Sequence, residues 1–237
     1  MPFTAKSGKF NASINTVEFG TGDKAVKIGG ENVFPLYSFD AAIENAPKVG
    51  IEITDFGMEH EPECIKKYYE GCATLADMAR KAASMEGGDF VVLNLEGGDP
   101  NGANKSTEEL IGELKEIADA VDLPLVVCGC KNVEKDAELF SKAAEALNGK
   151  NAVILSAKEE NYKTVGAAAG LAYKQIVGAE SAVDINLAKQ LNVLISQLGV
   201  DSKSVVMNVG SAAVGYGFEY VISTMDRVKA AALQQGD

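Results

Sequence analysis

Eight polar side chains stand at or near the ends of short apolar runs in this chain: Asp55, Asn94, Glu96, Cys128, Cys130, Ser156, Asn186 and Asn208. Amides, hydroxyls and thiols outnumber acids among them. Such groups orient a ligand by hydrogen bonds, whereas a hydrolase or a metal enzyme gathers histidines and carboxylates. Asp55, Asn94, Glu96, Ser156, Asn186 and Asn208 are therefore the candidate ligand-binding residues. No residue is assigned as catalytic or as a metal ligand.

Other residues invite chemistry and have plainer readings beside it. In Glu96-Gly97-Gly98-Asp99-Pro100-Asn101-Gly102 the glycines free the backbone to approach a bulky ligand, and the acids can accept hydrogen bonds; the same loop also reads as a solvated turn. Cys128-Gly129-Cys130 is too tight for a C-x-x-C redox hairpin and reads as small buried hydrophobes. The single histidine, His60, is either a solvated loop residue or a general base or ligand. Lys131 and Lys158 follow strand-like runs, where a desolvated lysine can form a Schiff base. Acids flank Lys158 in Ser156-Ala157-Lys158-Glu159-Glu160 and favour its protonated form. The run from Gly215 to Tyr220 mixes glycines with aromatics, as a ligand wall or as a tight loop packed on its helix.

Six strand-and-helix units place these residues. The strand-like runs are Val49–Asp55, Phe90–Glu96, Leu125–Cys130, Ala152–Ala157, Ala182–Asn186 and Ser204–Val209, each followed by a stretch with helical spacing. Helices are expected to open at Glu61-Pro62-Glu63, at Ser106-Thr107-Glu108-Glu109 and at Asn132. A fourth is expected from 161 to 177, a fifth from Ala188 to Leu198 and a sixth from Tyr216 to Leu233. The alternation predicts a parallel α/β protein, and its count is two short of an eight-fold (β/α) barrel. Helices would lie outside a curled sheet or on both faces of an open one, and periodicity does not choose. Ahead of the repeats, Thr16–Phe19 and Ala25–Ile28 alternate in polarity around Gly20-Thr21-Gly22-Asp23 and predict a β-hairpin, which reads as a cover for the barrel bottom, with a docking edge as the alternative. The division is thus an extension over 1–45 and an incomplete barrel over 46–237.

Composition narrows the function. The chain has 237 residues, 46% hydrophobic and 24% charged, enough for one sizeable core. A net charge of -12 without a basic cluster argues against nucleic acid as a partner. No apolar run approaches the roughly 18 residues of a membrane span, and the start lacks a signal-peptide layout, so a cytoplasmic location is expected. Four unevenly spaced cysteines read as reduced thiols, with no iron-sulfur or zinc pattern.

Four stretches in order carry a resemblance: Ile28-Gly29-Gly30-Glu31-Asn32 with Pro35-Leu36-Tyr37, then Gly50–Asp55, Asn94–Asp99 and Gly215–Tyr220. They resemble the small subunit of the corrinoid iron-sulfur protein, the delta-subunit family of acetyl-CoA decarbonylase/synthase. The resemblance implies a TIM-type barrel similar to methyltetrahydrofolate-binding barrels, paired with a large subunit that carries the iron-sulfur cluster. It further implies a cobalamin-type corrinoid shared between the two subunits, with no cluster in this chain. The role implied is in the reductive acetyl-CoA (Wood-Ljungdahl) pathway. There the cobalt accepts a methyl group from methyltetrahydrofolate, by way of a methyltransferase, and passes it to the nickel centre of acetyl-CoA synthase.

The family pattern continues through two further β/α units, so the resemblance implies a chain shortened at its C-terminus. Unpaired first and last strands would favour self-association, and missing loops would weaken cofactor binding. The alternative is a free-standing barrel enzyme, either a pterin-dependent methyltransferase or a Schiff-base aldolase acting through Lys158. A purely structural scaffold is a third reading.

Overall fold

The computed structural model describes residues 8, 10–34, 42–59 and 61–236; the Pro35–Tyr37 stretch and His60 lie outside them. Strands β1 (Thr16–Phe19) and β2 (Val26–Gly29) form the expected hairpin, with Thr16 opposite Gly29 and Phe19 opposite Val26. Six parallel strands follow: β3 (Gly50–Thr54), β4 (Phe90–Asn94), β5 (Leu125–Cys128), β6 (Val153–Ala157), β7 (Ile176–Glu180) and β8 (Val205–Asn208). They pair in sequence order, which leaves β3 and β8 at the two edges. No pairing joins those edges among the described residues, so the sheet is barrel-like in order and open in pairing.

The helices are α1 (Glu63–Tyr68), α2 (Leu75–Ala83), α3 (Thr107–Ala120), α4 (Val133–Ala146), α5 (Tyr162–Val165), α6 (Ile185–Gln197) and α7 (Phe218–Gln235). A π-helical turn, Gly166–Ala172, prolongs α5. Helix starts follow the polar signals in the sequence. Ser106 and Glu109 form a capping box on α3, as Thr74 and Asp77 do on α2, and Asn132 caps α4.

Alternation sorts the strand residues between two apolar layers. Ile53, Val91, Leu93, Val127, Ile154 and Val177 pack with side chains of α2, α3, α4 and α6 in one continuous cluster. The opposite, helix-free face buries Val126, Val153 and Ile176 with Val17, Phe19 and Val26 of the hairpin. Helices gathered on one face are the arrangement of a curled sheet rather than a doubly wound one. The hairpin closes the amino-terminal end of the inner face. Phe19 meets Phe90 edge to face at 5.3 Å, and the Gly20 N–H donates to the Asn151 carbonyl at 2.7 Å.

Two expectations fail in register. The fifth strand is not Ala182–Asn186 but Ile176–Glu180, whose first two residues fall inside the helix expected over 161–177. Gln175 sets the boundary: its fully buried amide donates to the carbonyls of Leu147 (3.0 Å) and Tyr173 (3.1 Å) and accepts from the Ala152 N–H (2.6 Å). The helix therefore stops, and the chain enters β7 beside β6. The segment 182–186 instead starts α6, because the Asp184 carboxylate accepts from the N–H groups of Asn186 and Leu187 at 2.8 and 3.1 Å. The first helical stretch is also split in two, with Gly71 in the left-handed conformation between α1 and α2.

Truncating Phe19, 2% exposed, removes the aromatic plug of the inner face. Phe19→Ala is expected to lower unfolding stability by about 3 kcal/mol. Chemical denaturation of both proteins measures it.

Candidate functional site

At the carboxyl ends of the strands the inner face turns polar. Pairing puts Asn94 level with Thr54 and Cys128, and Asn208 level with Glu180. Inner-facing Glu52 lies two residues before Thr54, its neighbours Ile51 and Ile53 packing with the helix layer. The Asn94 side-chain amide lies 3.5 Å from the Glu52 carboxylate, and the Asn208 amide donates to the Ser156 hydroxyl at 3.0 Å. The Asn208 side-chain oxygen accepts from the Gly210 N–H at 3.1 Å and fixes the amide's orientation. Lys158 pairs with Glu180 at 3.6 Å. Asn94 Oδ1 is buried and has no hydrogen-bond partner, an acceptor left open.

Cys128 belongs to the same wall. Burial, reinforced by the Glu52 and Glu180 carboxylates, pushes its thiol up to about 12. A thiol of that acidity is protonated near neutral pH and acts as a small apolar surface with a weak donor. Cys130 faces away, under the buried Asp136 carboxylate, which accepts from its N–H at 2.8 Å and lies 3.3 Å from its sulfur. The two thiols thus lie in different environments.

The remaining candidates frame the face. The Asp55 side chain is fully buried: Oδ1 accepts from the Gly97 N–H at 2.8 Å and Oδ2 pairs with Lys105 at 3.2 Å. Lys105 also reaches the Asp55 carbonyl (3.0 Å) and Glu113 (2.8 Å). A Cβ on Gly97 would run into the Asp55 carboxylate, so only glycine permits this closure. Asp55 therefore shapes the loop. Glu96 sits at the rim, 3.2 Å from Lys131. Asn186 lies in the first turn of α6, exposed and apart from this group. Among the described residues, no three His, Cys, Asp or Glu side chains converge to hold a metal ion. Nor is any described helix long and apolar enough to cross a membrane.

Between β7 and α6 the backbone is strained. Ala182 and Val183 take φ of 46° and 69°, a costly region for a β-branched residue. The turn is held by the Val183 N–H donating to the Val209 carbonyl (2.7 Å) and by the Thr224 hydroxyl donating to the Val183 carbonyl (3.3 Å). It sets the wall beside Glu180 and Asn208.

Glu52 and Glu180 escaped sequence reasoning. Glu180 ends an apolar run that starts inside the helix expected over 161–177 and continues past it. Glu52 interrupts Ile51 and Ile53, a period-two signal for the inner face that was available.

Fold and site define a parallel β/α protein with a hairpin-plugged inner face that opens, at the strand carboxyl ends, into a wall of amides, a hydroxyl, a neutral thiol and two carboxylates. Residues 16–237 match the model of the CO dehydrogenase/acetyl-CoA synthase delta subunit family, and the chain belongs to that family. It is 32% identical over 228 residues to the acetyl-CoA decarbonylase/synthase complex subunit delta of Methanothermobacter thermautotrophicus, covering 95% of this chain and 58% of the relative. It is 31% identical to subunit delta 1 of Methanosarcina thermophila, covering 92% of this chain and 50% of that protein. It is likewise 31% identical to subunit delta of Archaeoglobus fulgidus, covering 91% and 48%. The chain spans about half the length of these relatives.

Two outcomes follow from the site's electrostatics. Exposed Cys64 is expected to alkylate with iodoacetamide at pH 8 ahead of the desolvated Cys128 and the buried Cys130 in the native protein, with mass spectrometry of the peptides giving the order. Burial raises the Asp136 carboxyl above its ordinary 3.8. The native state then holds this proton to higher pH than the unfolded chain, so stability falls as pH rises from about 4 through the folded value. Asp136→Asn, whose amide oxygen can still accept from Cys130, is expected to flatten that part of a stability-versus-pH curve.

Proposed function

We propose that this chain is the corrinoid-presenting small subunit of a two-subunit corrinoid iron-sulfur protein. The pair carries a methyl group from methyltetrahydrofolate to acetyl-CoA synthase in the reductive acetyl-CoA pathway. Membership of the delta-subunit family supports the setting. The observation that carries the site is the unpartnered, buried Asn94 Oδ1 within a wall of amides, a hydroxyl, a thiol and two carboxylates.

A corrinoid fits this wall. Its rim is lined with carboxamide groups, which donate and accept hydrogen bonds without needing a countercharge. Asn94 Oδ1 offers an acceptor, the Asn208–Ser156 pair offers a prealigned amide and hydroxyl, and the Glu52 and Glu180 carboxylates accept further N–H groups. Protonated Cys128 and the apolar residues beneath it exclude water from the underside. When bound, the cobalt supplies the methyl-carrying chemistry; this chain's residues hold and orient the macrocycle and leave its other side to the large subunit. A Schiff-base role for Lys158 has less support, since addition to a carbonyl needs the lone pair of a free amine and this ammonium is paired with Glu180.

Hydroxocobalamin is expected to change its visible spectrum when titrated into this chain assembled with the large subunit. Asn94→Leu, which removes the open acceptor, is expected to weaken binding by roughly tenfold. An unchanged spectrum in the assembled pair overturns the reading.

A further inference from the structure

Hydrogen-bond polarity on the strand-end wall is set by the contacts behind it. The Asn208 side-chain oxygen accepts from the Gly210 N–H at 3.1 Å, so the amide presents its NH2 end to Ser156, whose hydroxyl accepts from it at 3.0 Å. A hydroxyl carries one proton beside its lone pairs. The Ser156 proton has no acceptor among the described residues and is left to donate to a ligand. Asn94 is oriented from the other side. Its NH2 group lies 3.5 Å from the Glu52 carboxylate, which would repel the amide oxygen, so Oδ1 turns away from Glu52 and is buried without a partner.

Acceptors therefore outnumber donors on this wall. Asn94 Oδ1 and the Glu52 and Glu180 carboxylates accept, Ser156 donates, and the Cys128 thiol is a weak donor. Charge leans the same way. Lys158 is held by Glu180 at 3.6 Å and Lys131 by Glu96 at 3.2 Å, which leaves Glu52 as the unmatched charge of the wall among the described residues. Asn94, Cys128 and Ser156 stand on β4, β5 and β6, each with a paired strand on both sides, so their placement depends on neither edge of the sheet.

Resting on the corrinoid reading above, we propose that this wall reads the amidation state of the ligand's rim: it takes carboxamide arms and rejects the same arms as carboxylates, with Asn94 as the specificity-determining residue. A primary carboxamide brings N–H groups to Asn94 Oδ1 and Glu52 and a carbonyl to Ser156. A carboxylate brings only lone pairs and a negative charge. Against Asn94 Oδ1 it sets two acceptors face to face, and Glu52 adds like-charge repulsion. Its gain at Ser156 does not discriminate, since that hydroxyl donates to either form. The class of ligand is then the fully amidated corrinoid, and its partly hydrolysed carboxylic-acid forms are excluded.

Hydroxocobalamin and the monocarboxylic acids formed from it by mild acid hydrolysis of its propionamide arms are the probes. Each is titrated near neutral pH, where the acids are ionised, into this chain assembled with the large subunit and followed by visible absorption. At least one monoacid is expected to bind roughly tenfold or more weakly than hydroxocobalamin. In Asn94→Leu that gap is expected to close, because the amide form loses its acceptor and the acid loses its repulsion. Glu52→Gln, at an exposed position, keeps an acceptor and removes the charge, and is expected to narrow the gap. Monoacids that all bind as tightly as hydroxocobalamin overturn the proposal while the corrinoid reading stands. A gap that survives unchanged in both variants also overturns it, since the discrimination then lies in the large subunit. Binding of neither compound overturns the corrinoid reading itself, and the amide preference with it.

Discussion

A parallel sheet with all its helices on one face has to bury or otherwise satisfy the other face by different means. Here that constraint governs the molecule from end to end. At the amino-terminal end the solution is apolar: Phe19, Val17 and Val26 of the hairpin close over Phe90, Val126, Val153 and Ile176. At the carboxyl-terminal end no element closes over the strands among the described residues, and the side chains become amides, hydroxyl, thiol and carboxylates. The polarity of the inner face therefore changes along the strand direction within two residues, from Val92 to Asn94 and from Val206 to Asn208. An apolar floor thus lies beneath a hydrogen-bonding rim.

The rim depends on buried polar contacts behind it. Asp55 spends its carboxylate on the Gly97 amide and Lys105, which ties the loop after β4 to the end of β3. Asp136 does the same for the Cys130 amide after β5, and Asp184 for the first turn of α6. These three turns are thus fastened by an acid with a backbone N–H as its partner, an arrangement stronger than a neutral hydrogen bond. Three acids are thereby committed to shape. This leaves Glu52 and Glu180 as the inner-face carboxylates that a ligand can meet.

The strand-helix alternation, the hairpin and the capping residues were legible because they rest on local chemistry. The alternating run before Gly20, the Ser106–Glu109 box and the apolar period of α3 each contain their own evidence. What the sequence misplaced rests on contacts distant along the chain. The run Ile176–Glu180 looks like the tail of a small-residue helix until Gln175 is seen bonded to residues 28 and 23 positions earlier. Of the candidate site residues, Asn94, Ser156 and Asn208 come together on one wall. Asp55 supports it from behind, Glu96 lies at its rim, and Asn186 belongs to a helix. The misplacement of one strand accounts for both the inclusion of Asn186 and the omission of Glu180.

Gln175 also bears on how the repeats hold together. Its one side chain joins the end of α4, the entry to β6 and the close of the π-helical turn, so three boundaries from two successive units share a single buried amide. A repeat protein whose units touch only through apolar faces can fray one unit at a time. Here, loosening either unit strips partners from an amide that has no access to water, and the neighbour bears the cost. The two units around β6 are consequently coupled and tend to open together.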